Sequence, residues 1–155
     1  MKKSGGFTLI ELLVAMGIMA VLTGMAVFNF NQSRVRARDV QRKNDLSQLQ
    51  KALEAYRNDN NEYPGANYQA SLISPTAYIN VSFSDVRASE WVDYEYLPGA
   101  NNKSYYLMTC LENAADAAKT TNETLCALFS DQANPCRCGH TVDNRTGVMY
   151  IISQP

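Results

Sequence analysis

Residues 12–28 hold only apolar side chains and glycine apart from Thr23, and this run constrains the chain more than any other feature. It amounts to roughly one bilayer's thickness of helix, since a membrane span takes about 20 mostly apolar residues. Near an N-terminus such a run has three fates: a secretory signal peptide, an ordinary anchor, or a segment that stays with the mature protein after a short leader is removed. Gly24-Met25-Ala26 supplies the small residues that a signal-peptide cut before Val27 would need. Glu11 separates the three. A carboxylate this far into an apolar helix costs on the order of 2.5–3.5 kcal/mol or less, depending on depth, and neither a signal peptide nor a plain anchor has a use for it. Either it snorkels to the interface or a partner compensates it.

The rest of the chain has room for one modest domain. Of 155 residues, 46% are hydrophobic, and Lys+Arg 14 against Asp+Glu 15 gives a formal charge of −1, so no global basic field recommends nucleic acid as the main partner. If the first segment directs export, Cys110, Cys126, Cys136 and Cys138 belong in disulfides rather than as free thiols, with three pairings open.

The short basic leader Met1-Lys2-Lys3-Ser4-Gly5-Gly6 and the run Gly6-Phe7-Thr8-Leu9-Ile10-Glu11-Leu12-Leu13-Val14 resemble the processing site of the type IV pilin and type II secretion pseudopilin superfamily. The resemblance implies that a prepilin peptidase cuts between Gly6 and Phe7 and methylates Phe7. It also implies that Glu11, at the fifth mature position, pairs with the N-terminal amine of a neighbouring subunit. A buried carboxylate and a buried ammonium are each costly alone and tolerated together, so such pairing rewards one axial register. The implied partners are identical or related subunits in a helical homopolymer, the peptidase and an inner-membrane assembly platform. The implied location is the cytoplasmic membrane with a cytoplasmic N-terminus, then an extracellular filament. A second stretch, Ala52-Leu53-Glu54-Ala55-Tyr56 with Asp59-Asn60 and Tyr63-Pro64, is similar to the end of the long helix in major pseudopilins and many Gram-positive or minimal pilins. The family's mid-helix proline is absent, with Phe28 in its place, leaving Gly17 and Gly24 as weak points of about 0.8–1.0 kcal/mol each. One feature opposes the implied topology: Arg34, Arg36, Arg38, Arg42 and Lys43 follow the span and outnumber Lys2 and Lys3 before it, which by the positive-inside rule places the C-terminal side in the cytoplasm. The glutamate, the cut site and the cysteines outweigh that rule.

Beyond the span, Leu46, Leu49, Leu53 and Tyr56 recur at i, i+3, i+7 and i+10, and no proline falls between Met1 and Tyr63. These predict one helix from Phe7 to about Asn58, about 75–80 Å long. On its other face Asp39 stands four residues before Lys43, and Arg38 four before Arg42, the pattern of a solvated face or of lateral subunit contacts. Asn58-Asp59-Asn60-Asn61-Glu62-Tyr63-Pro64-Gly65 ends the helix. Period-two alternation predicts strands at Ile79, Val81 and Phe83, at Val92, Tyr94 and Tyr96, from Tyr105 to Leu111, and over 148–152. Residues 97–102 suit a hairpin connection, and a small helix suits 122–129. The expected fold is α+β, a long N-terminal helix on an antiparallel sheet of about four strands. Its parts are a leader (1–6), a transmembrane and filament-core half-helix (7–30), an amphipathic half (31–58) and a globular head (59–155) with a cysteine-rich loop at 110–140, similar to that of type IVa pilins.

Chemistry has few footholds. Cys126, Cys136, Cys138 and His140 offer zinc ligand types at poor spacing, with Cys-x-Cys in place of Cys-x-x-Cys. Asp131, Asp143 and Asn144 offer oxygens for calcium, yet the Asp-Pro-Trp-Gly type segment of major pseudopilins is missing, and Trp91 sits in Glu90-Trp91-Val92-Asp93. Asn80, Asn102, Asn122 and Asn144 begin Asn-x-Ser/Thr sequons. No catalytic constellation is legible, and the expectation is a protein that is not an enzyme and uses no cofactor or metal. The rival to a structural subunit is an anchored or tip-located binding module for DNA or a surface ligand, resting on the basic stretch from Arg34 to Lys43.

Overall fold

The computed structural model describes residues 6–129, 136–139 and 147–154. Its elements in chain order are α1 (Leu9–Asn60), α2 (Tyr68–Ile73), β1 (Glu95–Pro98), a 3-10 turn (Ala100–Asn102), β2 (Tyr105–Leu111), α3 (Glu123–Cys126), β3 (Arg137–Cys138) and β4 (Gly147–Gln154). The four strands form an antiparallel sheet in the order β1-β2-β4-β3. The fold is thus the α+β arrangement of a long helix and a four-stranded sheet. The chain divides into two compact units, Met1–Val35 and Arg36–Pro155, and α1 contributes to both.

In the second unit the apolar stripe of α1 does what its spacing predicts. Leu46, Leu49 and Leu53 are fully buried and Tyr56 is half-buried, joined in one core by Tyr63, Leu72, Tyr94, Tyr105 and Leu107. Asn61 ends the helix by taking a left-handed conformation (φ 60°) that asparagine tolerates, while its N–H still reaches the Arg57 carbonyl at 2.8 Å. The chain then turns back, and Tyr63 N–H bonds the Asn102 carbonyl at 2.8 Å, fixing the helix exit to the β1–β2 connection.

Strand β2 is covered on both faces. Tyr105 and Leu107 point to the helix, while Met108 and Cys110 enter a second core with Trp91, Cys126, Cys138 and Met149. On that outer face, disulfide Cys110–Cys138 joins β2 to β3, and Cys126–Cys136 joins α3 to the residue before β3. Gly147 lies so close to β2 that a Cβ there would stand 2.7 Å from Cys110 Sγ, 2.7 Å from the Leu111 carbonyl and 2.9 Å from the Trp91 ring.

Four expectations need correction. Ile79, Val81 and Phe83 form no strand: the Tyr78 and Ile79 N–H groups bond the Leu72 carbonyl, and Phe83 N–H bonds Gln69 Oε1, so ladder donors are used up locally. Ile79 is buried while Val81 is 61% exposed, so the three do not share a face. The fourth strand is instead Arg137–Cys138, two residues held beside β4. The strand expected at Val92, Tyr94 and Tyr96 begins only at Glu95, with Tyr94 a core residue before it. The third and fourth corrections are the unforeseen helix α2 and the charged face of α1, where Asp39 and Arg42 are buried rather than solvated.

Candidate functional site

The N-terminal turn of α1 is built by Thr8 and Glu11. Thr8 N–H and the Thr8 hydroxyl both donate to Glu11 Oε2, at 2.9 and 2.8 Å, and Glu11 N–H donates to Thr8 Oγ1 at 3.3 Å. This is a reciprocal capping box, Thr-x-x-Glu ahead of an apolar run, and it satisfies helix-end donors that would otherwise be orphaned. The signal stands in the sequence as Thr8-x-x-Glu11 ahead of the apolar run, where the charge of Glu11 in an apolar helix masks its second role as a cap. The cap is made wholly of residues after Gly6, and no described residue reaches Glu11 Oε1. A Cβ on Gly6 would meet no described residue beyond its chain neighbours within 4 Å, and Phe7 is 92% exposed.

From Leu9 to Met25, Glu11 and Thr23 apart, the helix exposes apolar side chains around its circumference, among them Leu12, Leu13, Met16, Met19, Val21 and Leu22. A helix apolar all round is stable only with that surface removed from water. By length and composition α1 is able to cross a membrane, its most apolar window having a mean hydropathy of 2.2.

The cations after the span are mostly spoken for. Arg42, fully buried, pairs with Asp85, with Asp39 at 2.8 Å and with Glu112 at 2.8 Å. Arg38 grips both oxygens of Glu112 at 2.7 and 2.6 Å, and Arg87 adds a third contact at 3.1 Å. Lys43 meets Asp116 at 2.7 Å. Asp39 also accepts the Glu112 and Asn113 N–H groups at 2.9 and 2.8 Å, so the cluster ties α1 to the end of β2. Burial pushes the Glu112 carboxyl up, but hydrogen bonds from Arg38 and Arg42 outweigh it and hold the group at about 2. Burial likewise disfavours the Arg42 charge, and the hydrogen bond and attraction of Asp85 overcome it, so its pKa is raised. Of the five cations behind the binding-module reading, Arg34 and Arg36 remain without a partner among the described residues.

Cys126, Cys136 and Cys138 each spend their sulfur in a disulfide, which removes the thiolates that zinc would need. No cluster of three or more His, Cys, Asp or Glu able to hold a metal occurs among the described residues. His140, Asp131, Asp143 and Asn144 lie outside them.

A capped helix whose first half is largely apolar and whose second half packs on a four-stranded antiparallel sheet, with two disulfides on the outer face, defines a filament-type subunit architecture. The chain belongs to the type IV pilin and type II secretion pseudopilin superfamily: its residues 1–27 match the prokaryotic N-terminal methylation motif. It is 34% identical over 139 residues to the type IV wide pilus major component PilA4 of Thermus thermophilus, covering 88% of this chain and 99% of that one. It is also similar to type II secretion system core protein G of Aeromonas hydrophila (33% over 63 residues) and of Klebsiella pneumoniae (34% over 79 residues). These matches cover 44% and 56% of the secretion proteins, so the chain spans about half of their length. No solved structure matches the chain significantly.

Proposed function

We propose that this chain is a structural, non-enzymatic subunit of a type IV pilus or pseudopilus, processed by a prepilin peptidase between Gly6 and Phe7, methylated on Phe7, and polymerised through its N-terminal helix. In this reading residues 1–6 are the leader, 7–30 the membrane span and later filament core, 31–58 the amphipathic half-helix and 59–155 the head. The precursor sits in the cytoplasmic membrane with its N-terminus inside, and an inner-membrane platform extracts it into an extracellular polymer. Apolar helix surface moves from lipid to neighbouring helices, a non-directional gain that does not by itself choose an axial register. Glu11 chooses it by pairing with the Phe7 amine of the next subunit.

The observation that carries this reading is the half-used carboxylate. Oε2 is held by both Thr8 donors, so Glu11 is aimed and partly compensated before any neighbour arrives, while Oε1, which no described residue reaches, is open to an incoming ammonium. Ordering of a long acidic side chain, which assembly would otherwise have to bear, is thus already done. The test is Glu11→Ala and Glu11→Gln in cells, with electron microscopy of sheared surface material and mass spectrometry of the mature N-terminus. Mature chains beginning at methylated Phe7 together with at least a tenfold loss of filaments are expected. Normal filament yield would sink the register role, and a native chain starting elsewhere would sink the processing step.

A further inference from the structure

We propose that Arg34 and Arg36 form a cationic collar on α1 that binds the phosphates of anionic phospholipids at the membrane surface facing the head, before assembly. This rests on the reading above that α1 spans a membrane. Folding neutralises Arg38, Arg42 and Lys43, whereas Arg34 and Arg36 are exposed and partnerless among the described residues. No carboxylate of α1 competes for them: Asp39 is committed to Arg42, and Asp45 accepts the Tyr94 hydroxyl at 2.7 Å.

The spacing fits a bilayer. Arg34 follows Glu11 by twenty-three residues of continuous helix, about 35 Å at 1.5 Å each. A hydrocarbon core is about 30 Å thick and helices tilt by about 20° on average within a range reaching 40°. With the capped Glu11 at one interface, Arg34 therefore lies among the headgroups of the other. Two positions apart on a helix are about 200° apart around it, so the two guanidinium groups face opposite sides. That suits a ring of separate lipids better than one acidic protein surface, and the guanidinium fork matches a phosphate bidentately.

The test uses the full-length chain in nanodiscs of equal phosphatidylglycerol and phosphatidylcholine, with native mass spectrometry counting the lipids retained. The wild type should enrich phosphatidylglycerol. Arg34→Gln and Arg36→Gln should each lower that enrichment about fivefold, as expected for roughly 1 kcal/mol per basic residue at an anionic surface. Lys51→Gln, an exposed cation farther along α1, should leave it unchanged, and excess inorganic phosphate should not strip the lipid. Equal enrichment in the double variant, no enrichment in the wild type, or displacement by free phosphate overturns the collar. So does binding of duplex DNA that depends on the same arginines without any lipid preference. A chain released from membranes by alkaline carbonate overturns the spanning reading and the collar with it; a chain that stays but shows no preference overturns the collar alone.

Discussion

Arg42 is a full charge with no exposed surface, and its stability depends on having more than one counter-charge. A single buried pair often does no better than an apolar replacement, because desolvation offsets the attraction. Here Asp39, Asp85 and Glu112 all face one guanidinium, and Arg38 and Arg87 share Glu112, so every oxygen of the three carboxylates has a donor. Removing the centre leaves three carboxylates crowded together without it. Arg42→Ala is therefore expected to lose about 3–5 kcal/mol of head stability in chemical denaturation, with Arg42→Met losing less because its longer apolar side chain leaves a smaller cavity at this fully buried position. The same cluster predicts an acid limit. Glu112 is held near 2 when folded against 4.5 as its ordinary value, so the unfolded chain binds the proton more readily. Its contribution is complete above about pH 4.5 and is lost as pH falls toward 2, so denaturation midpoints measured across that window should drop. In Glu112→Gln the drop should be shallower, from a lower starting stability.

Among the elements, β4 makes the tightest demand. It pairs with β2 over seven residues and with β3 over two, and its first residue meets β2 almost backbone to backbone. Gly147→Ala places a methyl against the Leu111 carbonyl, which cannot step aside as a flexible side chain would. A loss of about 1–3 kcal/mol is expected by thermal melting, the usual cost of overpacking a filled site. Element legibility followed how much each depended on its own residues. The apolar run and the leucine spacing of α1 reported the helix directly, and the alternation along Tyr105–Leu111 reported a strand that truly has two different buried faces. Residues 79–83 carried the same alternation without a free sheet edge to pair with, since Gln69 and Leu72 had taken their donors. The two-residue β3 is held by register with β4 and by the Cys138 bond, and neither is a local property of Arg137 or Cys138. The burial of Arg42 is illegible in the sequence for a related reason: its partners Asp85 and Glu112 are 43 and 70 residues away, while its i, i+4 neighbours suggest a surface.

At the scale of the whole molecule, the two units of the chain answer to different solvents. Residues 9–35 are stable where apolar surface is withdrawn from water, whereas the unit from Arg36 onward has its own core, its own buried ions and both disulfides. The head is small for the surface it must bury, and short domains of this kind gain much of their margin from cross-links. Cys110–Cys138 closes a separation of 28 residues and Cys126–Cys136 one of 10. By loop-closure entropy they restrict the unfolded chain by about 3.6 and about 2.7 kcal/mol respectively, before any change in native packing. Because both cysteines of the longer bridge are buried in the core with Trp91, whereas only Cys126 of the shorter one is and Cys136 is half-buried against it, the longer bridge should matter more on both counts. Paired serine replacements in the full chain in detergent are expected to lower the melting point of near-ultraviolet signals from Trp91 and the tyrosines, more for 110/138 than for 126/136. Helical signal from the apolar segment should persist through that transition, since nothing holding residues 9–35 in a helix is cross-linked. A single transition that removes head and apolar helix together would show instead that the two units fold as one.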